Sequence, residues 1–500
     1  MPELLSTPDL LRVHPRDDVL VALRDVQPGE TVRSTTETIV ARTTVPRGHK
    51  LAATAISAGA AIHKYGWSIG RATRDISAGE HVHTHNLATA LSAHEDYIYS
   101  PPVAPAPTGL AEARTFLGYP RRDGRVGTRN ELWVLCTVGC VARTARRIAE
   151  IAGERLKGRV DGVHALTHPF GCSQLGDDLA HTRKVLASLA AHPNAAGVLI
   201  VGLGCENNSL QALLDSANLD RSRVRSFNAQ AVDDEVEEGV RALEDLAELL
   251  ELDARVPRPL SDLVVGLKCG GSDAFSGLTA NPLVGRISTL LARAGGTPVL
   301  SEIPEIFGAE RTLMARAVDR TVFNDTARLV NDFKHYFTSA GQTVAENPSP
   351  GNQAGGITTL EEKSLGAVQK AGDAPLTQVL RYGERIHRPG LALLEAPGND
   401  AVSSTALAAA GATLLLFTTG RGTPLGFPAP TLKIASNTAL AQAKPRWIDF
   451  DAGPLLTGTS MDPLCARLLE LVIDTASGRP TCAERNGERE VAIWKTGVTL

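Results

Sequence analysis

Four cysteines, Cys140, Cys172, Cys205 and Cys269, each follow a short apolar run and sit in or beside a glycine-containing loop. Apolar runs that pass into a Gly-rich loop and then a helix mark parallel strands buried on both faces. Open parallel sheets bind ligands at the carboxyl ends of their strands, so the four thiols are expected to converge on one crevice. Two chemistries suit thiolates there: ligation of iron, zinc or an iron–sulfur cluster, or nucleophilic attack assisted by a nearby base. His168, four residues before Cys172, is a candidate ligand or base. Cysteine also packs as a small hydrophobe, and Cys136, Cys465 and Cys482 are assigned to packing or surface.

A second group is made of imidazoles. The segment HVHTHN sets His81, His83 and His85 at alternate positions, which on a strand places all three on one face, where they could meet a metal or solvent. His49 and Lys50 follow a Pro-Arg-Gly turn, and His63 and Lys64 precede Tyr65 and Gly66. An imidazole beside a cation in a tight loop suits an anionic substrate, and a solvated turn equally. Long polar loops follow: CGGSDAFSGLTANP with Ser272 and Asp273, SEIPEIFGAE with Glu302, ENPSPGNQAGG with Asn352, and FTTGRGTP with Arg421. Such loops present backbone N–H groups, and Arg421 is a candidate bidentate clamp for a carboxylate.

The elements that must position these residues fall into an α/β pattern. Residues 1–98 read as a small β-rich domain of short strands and repeated ISAG turns, and 99–109 as a proline-rich linker. Residues 110–255 and 256–500 then alternate strand, loop and helix, with strands expected at 132–136, 163–167, 197–201, 263–267, 391–394 and 412–417. A chain of 500 residues exceeds one hydrophobic core. With 51 basic against 55 acidic residues, and aromatics at 4%, it offers neither a field for phosphate backbones or anionic lipids nor a stacking surface for bases. The seven cysteines lack the paired spacing of a disulfide framework. No signal-peptide core or membrane-length apolar run occurs, so a cytoplasmic location is expected, without nucleic-acid or membrane partners. GLGCEN has Asn207 where a dinucleotide fingerprint needs its third glycine, and GxxxxGK[ST] is missing.

The loops themselves resemble a known family. RGHK, KYGWSIG, GEHVHTHN, DGRVGTRNELW, TVGCV, HPFGCSQLGDD, VGLGCENN, CGGSDAFSGLTANP, ENPSPGNQAGGITTLEEKSLG, APGNDAVSSTALA and FTTGRGTP are similar to the altronate/galactarate dehydratase family of sugar-acid hydro-lyases. Gln353 stands where that pattern usually has Lys. The resemblance implies an SAF (β-clip) domain fused to a two-part α/β catalytic region. It also implies iron(II), with manganese or an iron–sulfur cluster as alternatives, and a sugar acid as small-molecule substrate. The expected reaction is dehydration of D-altronate to 2-dehydro-3-deoxy-D-gluconate in hexuronate breakdown. The alternatives are galactarate as substrate, or a sugar-acid sensor, which would need an output domain that the sequence does not offer. A homo-oligomer, a dimer, is expected.

Such a dehydration removes a barely acidic C2 proton beside a carboxylate and expels the C3 hydroxyl, so cations or a metal must absorb the charge of the dianionic intermediate. Under this reading Cys172, Cys205 and Cys269 hold iron, with His81 and His83 as the rival metal site. His49 and His168 are acid–base candidates, Glu302 and Asp273 base and orienter, and Lys50, Ser272, Asn352 and Arg421 substrate-binding residues.

Overall fold

The computed structural model describes residues 8–100 and 114–499, so the linker expected at 99–109 lies almost wholly outside the described residues. The N-terminal unit is a set of short antiparallel strands, with Val19–Ala22 paired to Leu10–Leu11 and to Lys50–Ala52, and the latter to His81–Val82. Four turns of one kind build it, ending in Gly29, Gly48, Gly59 and Gly79, each with φ between 78° and 86°, a region glycine enters without steric cost. Two are the ISAG repeats, and Ile56 bridges Ile76 across them as Val26 bridges Val45.

Thr115–Pro120 then pairs antiparallel with Val256–Pro259, so the chain enters and leaves the second unit side by side. Between them lies a four-stranded parallel sheet ordered Gly162–Leu166, Glu131–Cys136, Ala195–Gly202, Val224–Asn228. The C-terminal unit carries seven parallel strands in the order Leu376–Leu380, Leu391–Leu394, Thr297–Leu300, Val264–Cys269, Leu414–Thr419, Thr431–Ala435, Phe450–Asp451.

Both sheets are covered on both faces, which is why their strands read as unbroken apolar runs. In the larger sheet Val265, Leu267, Leu414 and Leu416 face a core shared with the N-terminal unit through Val19, Ile62 and Val82. Val299, Leu394 and Leu415 face the opposite way, into a core shared with Trp133, Leu135, Val198 and Ile200 of the second unit. No helix among the described residues is long and apolar enough to cross a membrane.

One packing contact bears directly on the site. A Cβ at Gly285, in the helix Ala280–Arg293, would stand 2.1 Å from the carbonyl oxygen of Gln369, the neighbour of Lys370. Gly285→Ala is therefore expected to cost about 1–3 kcal/mol of stability and to push Lys370 from its partner. A denaturant midpoint and an activity both equal to wild type would refute this.

Candidate active site

The switch point of the seven-stranded sheet lies between Val264–Cys269 and Leu414–Thr419, from which later strands are added in opposite directions. At the carboxyl ends of the strands here, five elements deliver a buried charged cluster. Lys268 is the penultimate residue of the first strand, and its ammonium bonds Glu302, Asp400 Oδ1 (2.7 Å) and the Cys269 carbonyl (2.8 Å). Glu302 follows the strand Thr297–Leu300 and also accepts from Lys370 Nζ (3.1 Å) and the Cys269 N–H (3.1 Å). Its backbone is left-handed, φ 67°, a conformation costly for a residue other than glycine and found where a site over-determines it. Glu305 accepts from Lys363 Nζ at 2.9 Å and lies 3.3 Å from Cys269 Sγ.

Burial opposes every charge here, so pairing is what keeps them. Burial alone would raise the Glu305 carboxyl, yet Lys363, Lys268 and Lys370 hold it below its ordinary value. Burial, with Glu302 beside it, pushes the Cys269 thiol up to about 12. Burial would lower Lys268 and Lys370, and the acidic groups around them raise both, Glu302 and Asp400 for Lys268, Cys269 and Glu302 for Lys370. Both are therefore permanent cations at neutral pH.

Cys269, Glu302 and Glu305 are also the one group of three potential metal ligands among the described residues whose donor atoms all lie within 4.8 Å of one another. Three ammonium groups already neutralise the two carboxylates, and the thiol keeps its proton. A divalent ion would have to displace those ammoniums, so this donor set suits charge stabilisation and proton transfer and does not fit a resident dication.

The loops around the cluster contain several of the expected residues, in positioning roles. Asp273 Oδ1 accepts from the Ser276 N–H, Ser276 Oγ and Ser436 Oγ, and Oδ2 from Asn437 Nδ2. These bonds tie the 273–276 and 436–437 loops together, so Asp273 acts as an orienter. Asn352 donates to the Ser272 carbonyl at 2.8 Å and accepts from Lys363 at 3.3 Å, so Ser272 and Asn352 brace the cluster. Arg421 is exposed and donates to the Gly351 carbonyl at 3.2 Å. Between Lys64, Ser272, Ser276, Lys363 and Gly366 remains a cavity of about 10 Å³, room for roughly one water. Roomier clefts of about 320 and 570 Å³ open beside Arg121–His192 and Lys184–Arg385, away from this chemistry.

Lys50 is not a free substrate cation. It is buried, and its three donors go to Gly356 O (2.9 Å), Thr358 Oγ1 (2.8 Å) and Glu362 Oε2 (2.8 Å), while Lys64 takes Glu362 Oε1 at 2.8 Å. Against the burial that would raise it, the two lysines hold Glu362 at about 2. This ion triplet clamps the N-terminal unit to the C-terminal one.

The histidines close the same interface. The strand expected through His81, His83 and His85 ends at Val82, and 83–86 turn back as the Asn86 N–H bonds the His83 carbonyl. The rings nevertheless gather with His49, at centroid distances of 4.8–5.4 Å. His49 Nδ1 and His81 Nε2 are 3.0 Å apart, and His49 Nε2 lies 3.4 Å from the Ala354 carbonyl. His83 Nδ1 accepts from the Thr84 N–H, which leaves Nε2 to donate to the Gln353 carbonyl. Burial, reinforced for His81 by its neighbouring imidazoles and for His83 by Lys50, lowers them to about 3 and about 4. Both are neutral, but His83 has no lone pair to spare for a metal.

The three thiols expected to hold iron divide between two sheets. Cys269 is buried in the charged cluster, whereas Cys172 and Cys205 are exposed in the second unit, next to an exposed Cys140. Convergence fails because sequence periodicity does not say which strand joins which sheet. His168 is no catalytic base either: it is buried, its Nε2 donates to the Cys136 carbonyl at 2.9 Å, and its Nδ1 accepts from the Phe170 N–H. It shapes the loop before Cys172.

Sequence reasoning missed Lys268, Glu305, Lys363, Lys370, Asp400 and Glu362. A signal existed for two of them: Lys268 interrupts an otherwise apolar run, VVGLKC, and Lys363 lies in LEEKSLG. Lysines inside buried elements are rare unless paired.

With this geometry in place, comparison with known proteins is informative. The family described as Altronate/galactarate dehydratase SAF domain matches residues 8–90. D-galactarate dehydratase/Altronate hydrolase, second domain, matches 118–251, and D-galactarate/Altronate dehydratase, C-terminal, matches 260–499. The chain is 49% identical to altronate dehydratase of Escherichia coli (strain K12), over 98% of this chain and 99% of the relative. It is also 49% identical to altronate dehydratase of Bacillus subtilis (strain 168), with the same coverage. Identity to galactarate dehydratase (L-threo-forming) of Escherichia coli (strain K12) is 34%, over 94% of this chain and 93% of the relative. The three matched segments follow one another along almost the whole chain, which belongs to the altronate/galactarate dehydratase family.

Proposed function

We propose that this chain is a hydro-lyase that dehydrates altronate to the 2-keto-3-deoxy acid. The observation that carries the reading is Glu302, held between two buried ammonium groups at the switch point of the sheet. Identity of 49% to altronate dehydratases against 34% to the galactarate enzyme favours altronate as substrate.

In this reading Glu302 takes the C2 proton. Lys268 and Lys370, fixed cations in a dry site, offset the second negative charge that develops on the substrate carboxylate. The protonated Cys269 thiol and Lys363 lie close enough together through Glu305 to return a proton to the departing C3 hydroxyl. Arg421, at the exposed mouth, receives the substrate carboxylate. Arg421→Ala is expected to raise KM about tenfold or more with a smaller change in kcat, in steady-state assays. An unchanged KM would remove it from this role.

Iron(II) is the metal we propose, and the exposed thiols of the second unit are the residues whose chemistry fits it; when bound there, outside the cluster around Glu302, it would supply a Lewis acid. All seven cysteines are free, which favours a reducing compartment, the cytoplasm. The experiment is an anaerobic panel of aldonic and aldaric acids with and without iron(II), scored for 2-keto-3-deoxy product. Turnover of galactarate in preference to altronate, or no product from either, would overturn the proposal.

A further inference from the structure

The second unit carries a site outside the charged cluster. Its parallel sheet, in chain order 2-1-3-4, has its own switch point between Glu131–Cys136 and Ala195–Gly202. The loops leaving those two strands, and the loop after the neighbouring Gly162–Leu166, each carry one exposed cysteine immediately after a glycine: Gly139 and Cys140, Gly171 and Cys172, Gly204 and Cys205. The three loops are bonded to one another. The Gly139 N–H donates to the Phe170 carbonyl (2.8 Å), the Asn208 N–H to Gly171 (2.9 Å), Asn208 Nδ2 to Thr137 (3.1 Å), and the Ser173 N–H to Asn207 Oδ1 (2.9 Å).

Gly139 and Gly171 are required by that closeness, and Gly204 by its backbone, φ 123°. A Cβ at Gly139 would lie 2.9 Å from the Pro169 backbone, one at Gly171 2.1 Å from the Thr137 carbonyl, and one at Gly204 2.8 Å from Gln230. Glu206 fills the nest formed by the Leu203, Gly204 and Cys205 N–H groups, which fixes the Cys205 loop and denies the nest to a phosphate. Gln230 Nε2 points at Cys205 Sγ, 3.7 Å away.

We infer that Cys140, Cys172 and Cys205 are the three protein ligands of an iron–sulfur cluster with one iron left open to a small oxygen ligand. Thiolates are the ligands such clusters take, one for each iron held. The trio is absent from the ligand groups with donor atoms within 4.8 Å of one another, of which the described residues hold one. The trio is therefore not the preassembled shell of a single zinc or iron ion. On binding, each S–H bond is replaced by an Fe–S bond and its proton passes to water; iron(II) and iron(III) in equal numbers, with sulfide, supply the mixed-valent cluster without a further oxidant and without a nucleophilic role for these cysteines. The inference rests on the proposed iron requirement and deepens it.

The test uses the full chain, purified anaerobically and reconstituted with iron(II), iron(III) and sulfide. Wild type should hold iron and acid-labile sulfide in nearly equal amounts and show the broad visible absorption of iron–sulfide charge transfer. Cys140→Ser, Cys172→Ser and Cys205→Ser, near-isosteric changes at exposed positions, should each lose most of both while keeping the wild-type circular dichroism. Cys269→Ser should retain them. Wild type without sulfide, or full sulfide in all three serine variants, overturns the inference, as does loss of the cluster in Cys269→Ser alone. Wild type that holds no sulfide after reconstitution yet turns over altronate would sink the inference and leave the hydro-lyase reading standing. An intact cluster in a protein that turns over no sugar acid would do the reverse.

Discussion

Replacing Glu302 by Gln is expected to lower kcat for altronate by about 10³-fold, within the range a positioned general base contributes, with little change in KM. The amide keeps the shape and accepts one hydrogen bond, but it cannot take the C2 proton. It also leaves Lys268 and Lys370 with one carboxylate fewer between them, so part of the loss will come from reorganised cations. Lys268→Met separates the two contributions. It removes a charge that counts most when the substrate becomes a dianion, and should cost about 10²–10³-fold in kcat while leaving Glu302 in place with Lys370. Steady-state kinetics with C2-deuterated altronate checks the assignment, since proton removal should remain isotope-sensitive in the Lys268 variant. An E302Q enzyme retaining more than a tenth of wild-type kcat would exclude Glu302 as the base.

The second large effect is on stability. Glu362→Gln strips the single carboxylate from Lys50 and Lys64, both of which are buried. Removing one partner of a buried ion pair costs about 3–5 kcal/mol, and here two cations lose it together. The N-terminal unit should loosen from the C-terminal one before the sheets unfold, measurable as an earlier denaturant transition and as new protease cleavage near the interface. Glu362→Gln with Lys50→Met should recover part of the loss, because one uncompensated charge disappears. A single transition at the wild-type midpoint would show that the clamp contributes nothing. The pH dependence has a definite sign. Glu362 sits at about 2 when folded against an ordinary 4.5, so its stabilisation is fully present above pH 4.5 and fades as the pH falls toward 2. The Gln variant should lack that portion of the acid sensitivity.

The strands were legible in the sequence because burial on both faces leaves no polar alternation. The run expected at 132–136 is the strand Glu131–Cys136, and the one expected at 391–394 is Leu391–Leu394. The site was legible in part. Glu302, Arg421 and Cys269 lie at strand ends or loops where such residues were sought, but the partners that give Glu302 its setting were not read. Lys370 comes from a short helical segment, Val368–Ala371, and Asp400 from the start of the helix Asp400–Ala409, with no local pattern linking either to Glu302. Lys50 and His49 looked like a cationic loop awaiting a substrate. Their partners, Glu362 and the 353–356 backbone, are about three hundred residues downstream, and only the docking of one unit on another reveals them. Cys140, Cys172, Cys205 and Cys269 share one context in the sequence, yet that context is identical at the ends of two different sheets.

That long separation has a consequence during synthesis. Lys50 and Glu362 are 312 residues apart in the chain, and a ribosome adding about 5–20 residues per second reaches the second only about 15–60 s after the first. For that interval the nascent N-terminal domain has two lysines that will later be buried and no carboxylate to receive them. They begin as ordinary solvated surface, and the domain waits as a separate folded or half-folded body until the helix bearing Glu362 emerges. Burial of these two ammoniums is therefore among the last events in the folding of the chain.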